Sequence, residues 1–211
     1  MPRCHAAILA ALLLLGLTLC ANLPTAAYRT PSSWSCHTKD IACELLETGS
    51  SPRMVETYKG NDRLTFKYDY MGRRVEKCVY SGDILTSKTL YVYDGFKCVE
   101  ELDALDNNTV AMCHTWQPFD VGLDVIIATT DAAGASYFLH DANKNVMQRT
   151  DAEGNLTEKY EYAPFGGNTR GTRANIGFSS EAFDAATDLS DYNYRYYAPG
   201  FRRWTSCDTF G

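Results

Sequence analysis

Residues 64–95 read LTFKYDYMGRRVEKCVYSGDILTSKTLYVYDG. Three short runs in this stretch, 64–70, 75–80 and 89–94, are aromatic and β-branched, with polar residues interleaved at a period of two. Alternation of that kind puts successive side chains on opposite faces, which is the pattern of a half-buried antiparallel strand. Between the runs stand MGRR (71–74) and SGD (81–83). An Asp at such a turn caps backbone amides, and a Gly accepts positive φ. The same texture continues downstream. SYFLH (136–140) and EKYEY (158–162) are further strands, and YDG, DALDNN, DAAG, DANKN and DAEGN are further turns. Strand and turn alternate every ~10–12 residues, a spacing that suits hairpins in a β sheet or barrel. The fold class expected is therefore all-β, antiparallel and built from hairpins. Only EAFDAATDL (181–189) could pass for a short helix.

One hairpin unit is reused. Tyr68-Asp69 leads into Gly72, Tyr93-Asp94 into Gly95, Asp141 into Asn143 and Asn145, and Asp151 into Gly154-Asn155. Thirteen of the 14 tyrosines lie between Tyr58 and Tyr197, the residue type that a pleated, half-buried surface favours.

The N-terminus, MPRCHAAILAALLLLGLTLCANLPTAAY, opens with Arg3 and an apolar run and reaches small residues at Ala26 and Ala27. This is the layout of a secretory signal over residues 1–27. An uncleaved membrane anchor is the alternative, and Leu19 disfavours lipidation at Cys20. Export would leave Cys36, Cys43, Cys78, Cys98, Cys113 and Cys207 in an oxidising compartment where they can pair. No CxxC spacing suggests zinc. Residues 28–56 are rich in Ser, Thr and Pro without a clear period and read as a leader or linker. The net charge of −6 and pI near 5.2 argue against nucleic acid as a partner, because phosphate binding needs clustered Lys and Arg.

Catalytic and ligand motifs are weak. Asp141, Asn143 and Asn145 occupy the first three ligand positions of a calcium loop. Val146 and Ala152 stand where that loop needs Gly and Glu, so a turn is the better reading. GGNTRGTR (166–173) has glycine spacing like a phosphate loop but lacks its lysine, and reads as a connector. His5, His37, His114 and His140 form no metal-binding pattern, and His140 and Asp141 as strand neighbours would point to opposite faces. Arg195, Arg202 and Arg203 beside Tyr194, Tyr196 and Tyr197 could stack on bases or sugars, but more often such arginines lie along rings in cross-strand packing. No catalytic, cofactor-binding or metal-binding residue follows from these patterns.

Several of these motifs, in this order, resemble the Rhs/YD-repeat family. YDYMGRRV is similar to its Tyr-Asp repeat unit, and LYVYDGFKCVEELDALDNNTV to its recurring Tyr-Asp-Gly block. YFLHDANKNVMQRTDAEGNLTEKYEYAPFG and FSSEAFDAATDLSDYNYRYYAPGFRRWTSCDTFG resemble the Rhs repeat-associated core. The likeness runs from Thr57 to Gly211. It implies YD-repeat hairpins over 57–135 and a core, cut short, over 136–211. It implies hairpins that spiral into a hollow shell around a toxic polypeptide, with the core as a plug, in a secreted or surface protein of bacteria. Family aspartates are tied to self-cleavage, and here Asp208 and Arg195 match such positions. Ala163 and Ala198 replace family aspartates, Lys144, Asp188 and Arg202 replace glycines, and Thr209 replaces a proline. With Ala198 in place, no acid–base pair of carboxylates can be assembled from the sequence.

The function expected is that of a structural shell fragment of a polymorphic-toxin-like protein, without catalysis of its own and without a cofactor. The alternatives are a carbohydrate-binding surface module, a self-cleaving core, and a remnant without activity. The partners expected are a toxin cargo or the rest of a shell, and cell-surface glycans in the second case. Membrane contact is expected only through an uncleaved signal segment.

Overall fold

The computed structural model describes residues 41–48, 51–118, 124–171 and 175–206, with side chains from residue 53 onward. The signal segment, Cys36, Cys207, Asp208, Thr209 and the side chain of Cys43 lie outside the described residues.

An antiparallel meander dominates the chain. Its strands are β1 (Ile41–Thr48), β2 (Ser51–Lys59), β3 (Asp62–Tyr68), β4 (Arg74–Ser81), β5 (Ile84–Asp94), β6 (Lys97–Asp103), β7 (Thr109–Trp116), β8 (Ile126–Asp131), β9 (Gly134–His140), β10 (Val146–Thr150) and β11 (Leu156–Lys159). They follow in sequence order in one 11-stranded sheet. A two-stranded hairpin, β12 (Glu161–Tyr162) with β13 (Asn168–Arg170), comes next. A four-stranded sheet closes the described chain: β14 (Ala182–Asp184), β15 (Leu189–Tyr192), β16 (Arg195–Ala198) and β17 (Arg203–Trp204). The all-β expectation holds.

Three local expectations are corrected. Residues 41–56, expected as linker, form β1 and most of β2, which pair with each other, and Glu56–Lys59 of β2 pairs on with β3. A boundary at 135/136 would fall inside β9, and the sheet runs on to Lys159 because the hairpins simply continue. EAFDAATDL is strand, turn and strand instead of helix. Asp184 Oδ1 accepts from the Ala186 amide at 3.0 Å and Asp188 turns the chain at φ 56°, which favours the hairpin. Within GGNTRGTR, Asn168–Arg170 is strand β13, paired with Glu161 and Tyr162.

Alternation sorts the side chains of the large sheet. Leu64, Phe66 and Tyr68 of β3 face the small sheet, and they pack with Met54 against Leu189, Tyr196, Ala198 and Ala186. The outer face carries charge. Lys67 and Lys88 both reach Glu76, at 2.7 and 3.0 Å, and Arg63 lies 4.1 Å over the Tyr80 ring. Burial pushes the Glu76 carboxyl up, but the hydrogen bonds from Lys67 and Lys88 outweigh it and leave it lowered. Eight of the ten strand pairings in the large sheet carry a register shift. Bulges of this kind bend a strand and increase its twist, which lets one face wrap a smaller sheet.

One five-residue turn recurs at 69–73, 141–145, 151–155, 163–167 and 177–181. In each, the first amide donates to the fifth carbonyl, and the fourth amide donates to the first carbonyl. The fourth residue has positive φ in every copy: Gly72, Lys144, Gly154, Gly166 and Ser180. Where the first residue is Asp, its Oδ1 also accepts from the third and fifth amides. Asp141 does so at 2.8 and 3.0 Å, and Asp69 and Asp151 do the same. The calcium-like DANKN is thus a turn whose carboxylate is spent on its own backbone. Ala163 and Gly177 head the other two copies without that carboxylate. Gly166 is held to glycine twice over, since a Cβ there would also lie 2.8 Å from the Phe178 ring.

Candidate functional site

The small sheet meets the large one around buried charge. Arg74, at the start of β4, is 7% exposed and reaches two carboxylates from the opposite sheet. Its Nη1 lies 3.4 Å from Asp184 Oδ2 and its Nη2 3.5 Å from Asp191 Oδ2. Lys77, three residues along the strand, places Nζ 2.6 Å from the same Asp184 oxygen. The guanidinium of Arg74 also lies over the rings of Phe66 and Tyr91, at 5.7 and 4.9 Å, while its Nε has no partner. Beside it, the Tyr68 and Tyr196 hydroxyls are 2.7 Å apart, and Tyr68 donates to the Met54 carbonyl at 2.6 Å. Arg53 donates to the Asn193 carbonyl and stacks near Tyr68 and Tyr194.

The two aspartates are shifted in opposite directions. Burial pushes Asp184 up, but Lys77 and Arg74 together hold it below the usual carboxylate range. Burial dominates at Asp191 and raises it, with Arg74 and Arg53 opposing. Glu181, just before β14, is pushed up to about 7 by burial, with Asp191 and Asp124 adding to that and Lys144 opposing. On the β7 side, His114 Nε2 lies 3.0 Å from Glu101 Oε1, while His114 Nδ1 is buried without a partner.

The residues singled out in the sequence are mostly elsewhere. Arg195 stacks 4.1 Å over Trp204, and Arg202 lies 5.8 Å from Phe165. Tyr196 and Tyr197 are buried, and Tyr192, Tyr197 and Trp204 pack edge to face, so the dense aromatic stretch is an interior and not a stacking platform. Ala198 sits in the apolar cluster between the sheets. Cys78, Cys98 and Cys113 are free thiols, so the expectation of disulfides is not met among them. Burial pushes Cys98 up to about 12, which keeps it an unreactive thiol. Sequence reasoning missed Asp184 and Asp191 as a pair, because each reads locally as a turn or strand residue. It missed Glu181 and Glu101–His114 for the same reason. Among the described residues no cluster of three or more His, Cys, Asp or Glu could hold a metal, and no helix is long and apolar enough to cross a membrane.

No protein-family model matches the chain. Two curated proteins are similar to it, the tRNA3(Ser)-specific nuclease WapA of Bacillus spizizenii and the tRNA(Glu)-specific nuclease WapA of Bacillus subtilis subsp. natto. Each is 30% identical over 154 residues, covering 68% of this chain. The chain spans only 6% of the length of either relative. Among solved structures, the TcdB2-TccC3-Cdc42 crystal structure matches with a TM-score of 0.57 at 21% identity, over 79% of this chain and 9% of that one. The Photorhabdus luminescens Tc holotoxin pore matches at 0.53 and 19%, over 79% and 9%. What these structures share with the chain is the fold. The matched region is about a tenth of the length of those chains.

Proposed function

We propose that the chain is a framework segment of an Rhs/YD-repeat shell in a secreted or surface toxin-related protein. The large sheet forms wall, the small sheet is fastened to its inner face, and the segment performs no chemistry of its own. The observation that carries this reading is the ionic lock. Arg74 and Lys77 reach Asp184 and Asp191 across the sheets, so these four charged side chains are committed to one another. The relatives support it from a second side. Two proteins named for different tRNA targets match this chain to the same extent, which fits a shared scaffold better than the part that selects a tRNA. A toxic cargo and the rest of a shell are the partners the reading implies. The small sheet, β14–β17, belongs in it to the core that the wall surrounds.

A second reading has one observation in its favour. Two carboxylates that share one guanidinium and shift in opposite directions are the arrangement used by acid–base pairs. The two readings part on a simple experiment. Expressed with a different tag at each end, the full chain is expected to run as one band carrying both tags. Two singly tagged fragments that disappear on Asp191→Asn would replace the framework reading with self-cleavage.

A further inference from the structure

A cavity of about 330 Å3 lies between β5–β7 and the segment leading into β14, beside the ionic lock but not used by it. Phe96, Trp116, Tyr91 and Tyr93 line it. Two of these rings have their polar ends turned into backbone. Trp116 Nε1 donates to the Cys98 carbonyl at 2.6 Å, and the Tyr93 hydroxyl donates to the Arg74 carbonyl at 2.9 Å. The rings are left to offer apolar and π surface.

Charge on the wall is unequally matched. Its cations are all engaged: Arg73 with Asp69 at 2.6 Å, Arg74 with Asp184 and Asp191, and Lys77 with Asp184. One of its carboxylates is not: Glu181, half-buried, makes no side-chain hydrogen bond or ion pair among the described residues, while Asp184, Asp191 and Glu101 do. His114 Nε2 lies 3.0 Å from Glu101 Oε1, and His114 Nδ1 is buried without a partner and without accessible surface toward the cavity. A smaller chamber of about 40 Å3 shares Phe96, Trp116 and Glu181 with the first and is capped by the Lys97–Asp124 pair at 3.2 Å. Glu181 thus sits where the two spaces meet. An anion would find each positive group already paired with a carboxylate and would face Glu181 besides, and a neutral ligand would cover the half-buried Glu181 carboxylate without pairing it, which is costly. A cation pairs with Glu181 and also gains from the aromatic faces.

We propose that this cavity binds a singly charged organic cation, an alkylammonium or a guanidinium group. Glu181 is its counter-ion, and Phe96 and Trp116 flank its stem. Burial, with Asp191 and Asp124 adding to it, raises the Glu181 carboxyl, and an ammonium beside it would draw it back down. The site is independent of the framework reading, since it needs only the cavity between the two sheets.

The test is titration of the full chain, followed by calorimetry, with n-butylammonium, methylguanidinium, and the N-acetyl methylamides of lysine, arginine and citrulline. The expected result is saturable binding of at least one cation, with the neutral citrulline compound at least tenfold weaker than its arginine isostere. Glu181→Gln is expected to weaken cation binding at least tenfold. Equal binding of citrulline and arginine compounds overturns the proposal on the unaltered protein, where no variant has to fold. Unchanged affinity in Glu181→Gln overturns it as well, and so does failure of every cation to bind. Free amines that bind as tightly as the blocked amino acids would assign the site to a small amine. Tight binding of the blocked forms alone would assign it to a side chain of a bound polypeptide.

Discussion

Lys144, Ala163 and Glu181 each hold a place that another residue would suit better, and each makes a prediction. Lys144 stands at φ 63°, Asp188 at 56° and Arg202 at 58°, in the left-handed region where a Cβ costs roughly 1 kcal/mol. Lys144→Gly is therefore expected to stabilise the chain by about 0.5–1 kcal/mol in urea melts, the glycine's greater unfolded-state entropy offsetting part of the gain. Ala163 heads a turn whose backbone matches that of Asp141 and Asp151 but offers no carboxylate to the third and fifth amides. Ala163→Asp is expected to raise the melting temperature by about 1 kcal/mol worth of stability, as an N-cap does. The two substitutions are expected to add. At Glu181 the folded-state pKa of about 7 lies above the ordinary 4.5, so the folded chain holds its proton more tightly. Stability is then lost as pH rises from 4.5 through 7, by an amount on the order of 2–3 kcal/mol. Glu181→Gln removes that loss. The melting-temperature difference, variant minus wild type, is expected near zero at pH 4.5 and largest above pH 8. A difference flat with pH would refute the assignment.

The elements meet through contacts that hairpins alone do not supply. Strand β4 brings Arg74 and Lys77 to one face, β14 and β15 bring Asp184 and Asp191, and the guanidinium is the point they share. Removing one member of a buried ion cluster leaves the others desolvated and uncompensated, typically at 3–5 kcal/mol. Arg74→Met is expected to cost about that much and to release the small sheet first, seen as early hydrogen exchange in residues 182–198. Adding Asp191→Asn to Arg74→Met is expected to return part of the loss, because one stranded charge is then removed. If the double variant is less stable than the single one, the carboxylates are held by something other than Arg74. The glycine and Asx turns and the alternation of β3, β4 and β5 were legible in the sequence, because both depend on residues within a few positions of one another, whereas positive φ at Ser179 and Ser180 was not. The strand in 41–48 was not, since its Ser/Thr/Pro-rich surroundings carry turn signals that pairing with β2 overrides.

Across the whole molecule, β1 and β11 each pair on one side only among the described residues. A sheet edge with unpaired amides and carbonyls is a template for another chain. The isolated chain is expected to self-associate with rising concentration in light scattering. A monodisperse monomer with a cooperative melt would contradict that expectation. The sequence by itself determined most strands and turns from Tyr58 onward, because the two-residue period and the Asx–Gly turn are local physics, and the residues that sit badly in them stood out through the family resemblance. Tertiary structure alone decided which carboxylates face Arg74, that Glu181 and His114 share a cavity, and that Tyr196 and Tyr197 are interior. The Arg74–Asp184 and Lys77–Asp184 contacts join residues 110 and 107 positions apart, and the Tyr68–Tyr196 bond joins residues 128 apart. Nothing in a local pattern fixes such a meeting. It depends on the summed twist and bulges of the strands between, which bend the large sheet until one part of its face closes on the small one.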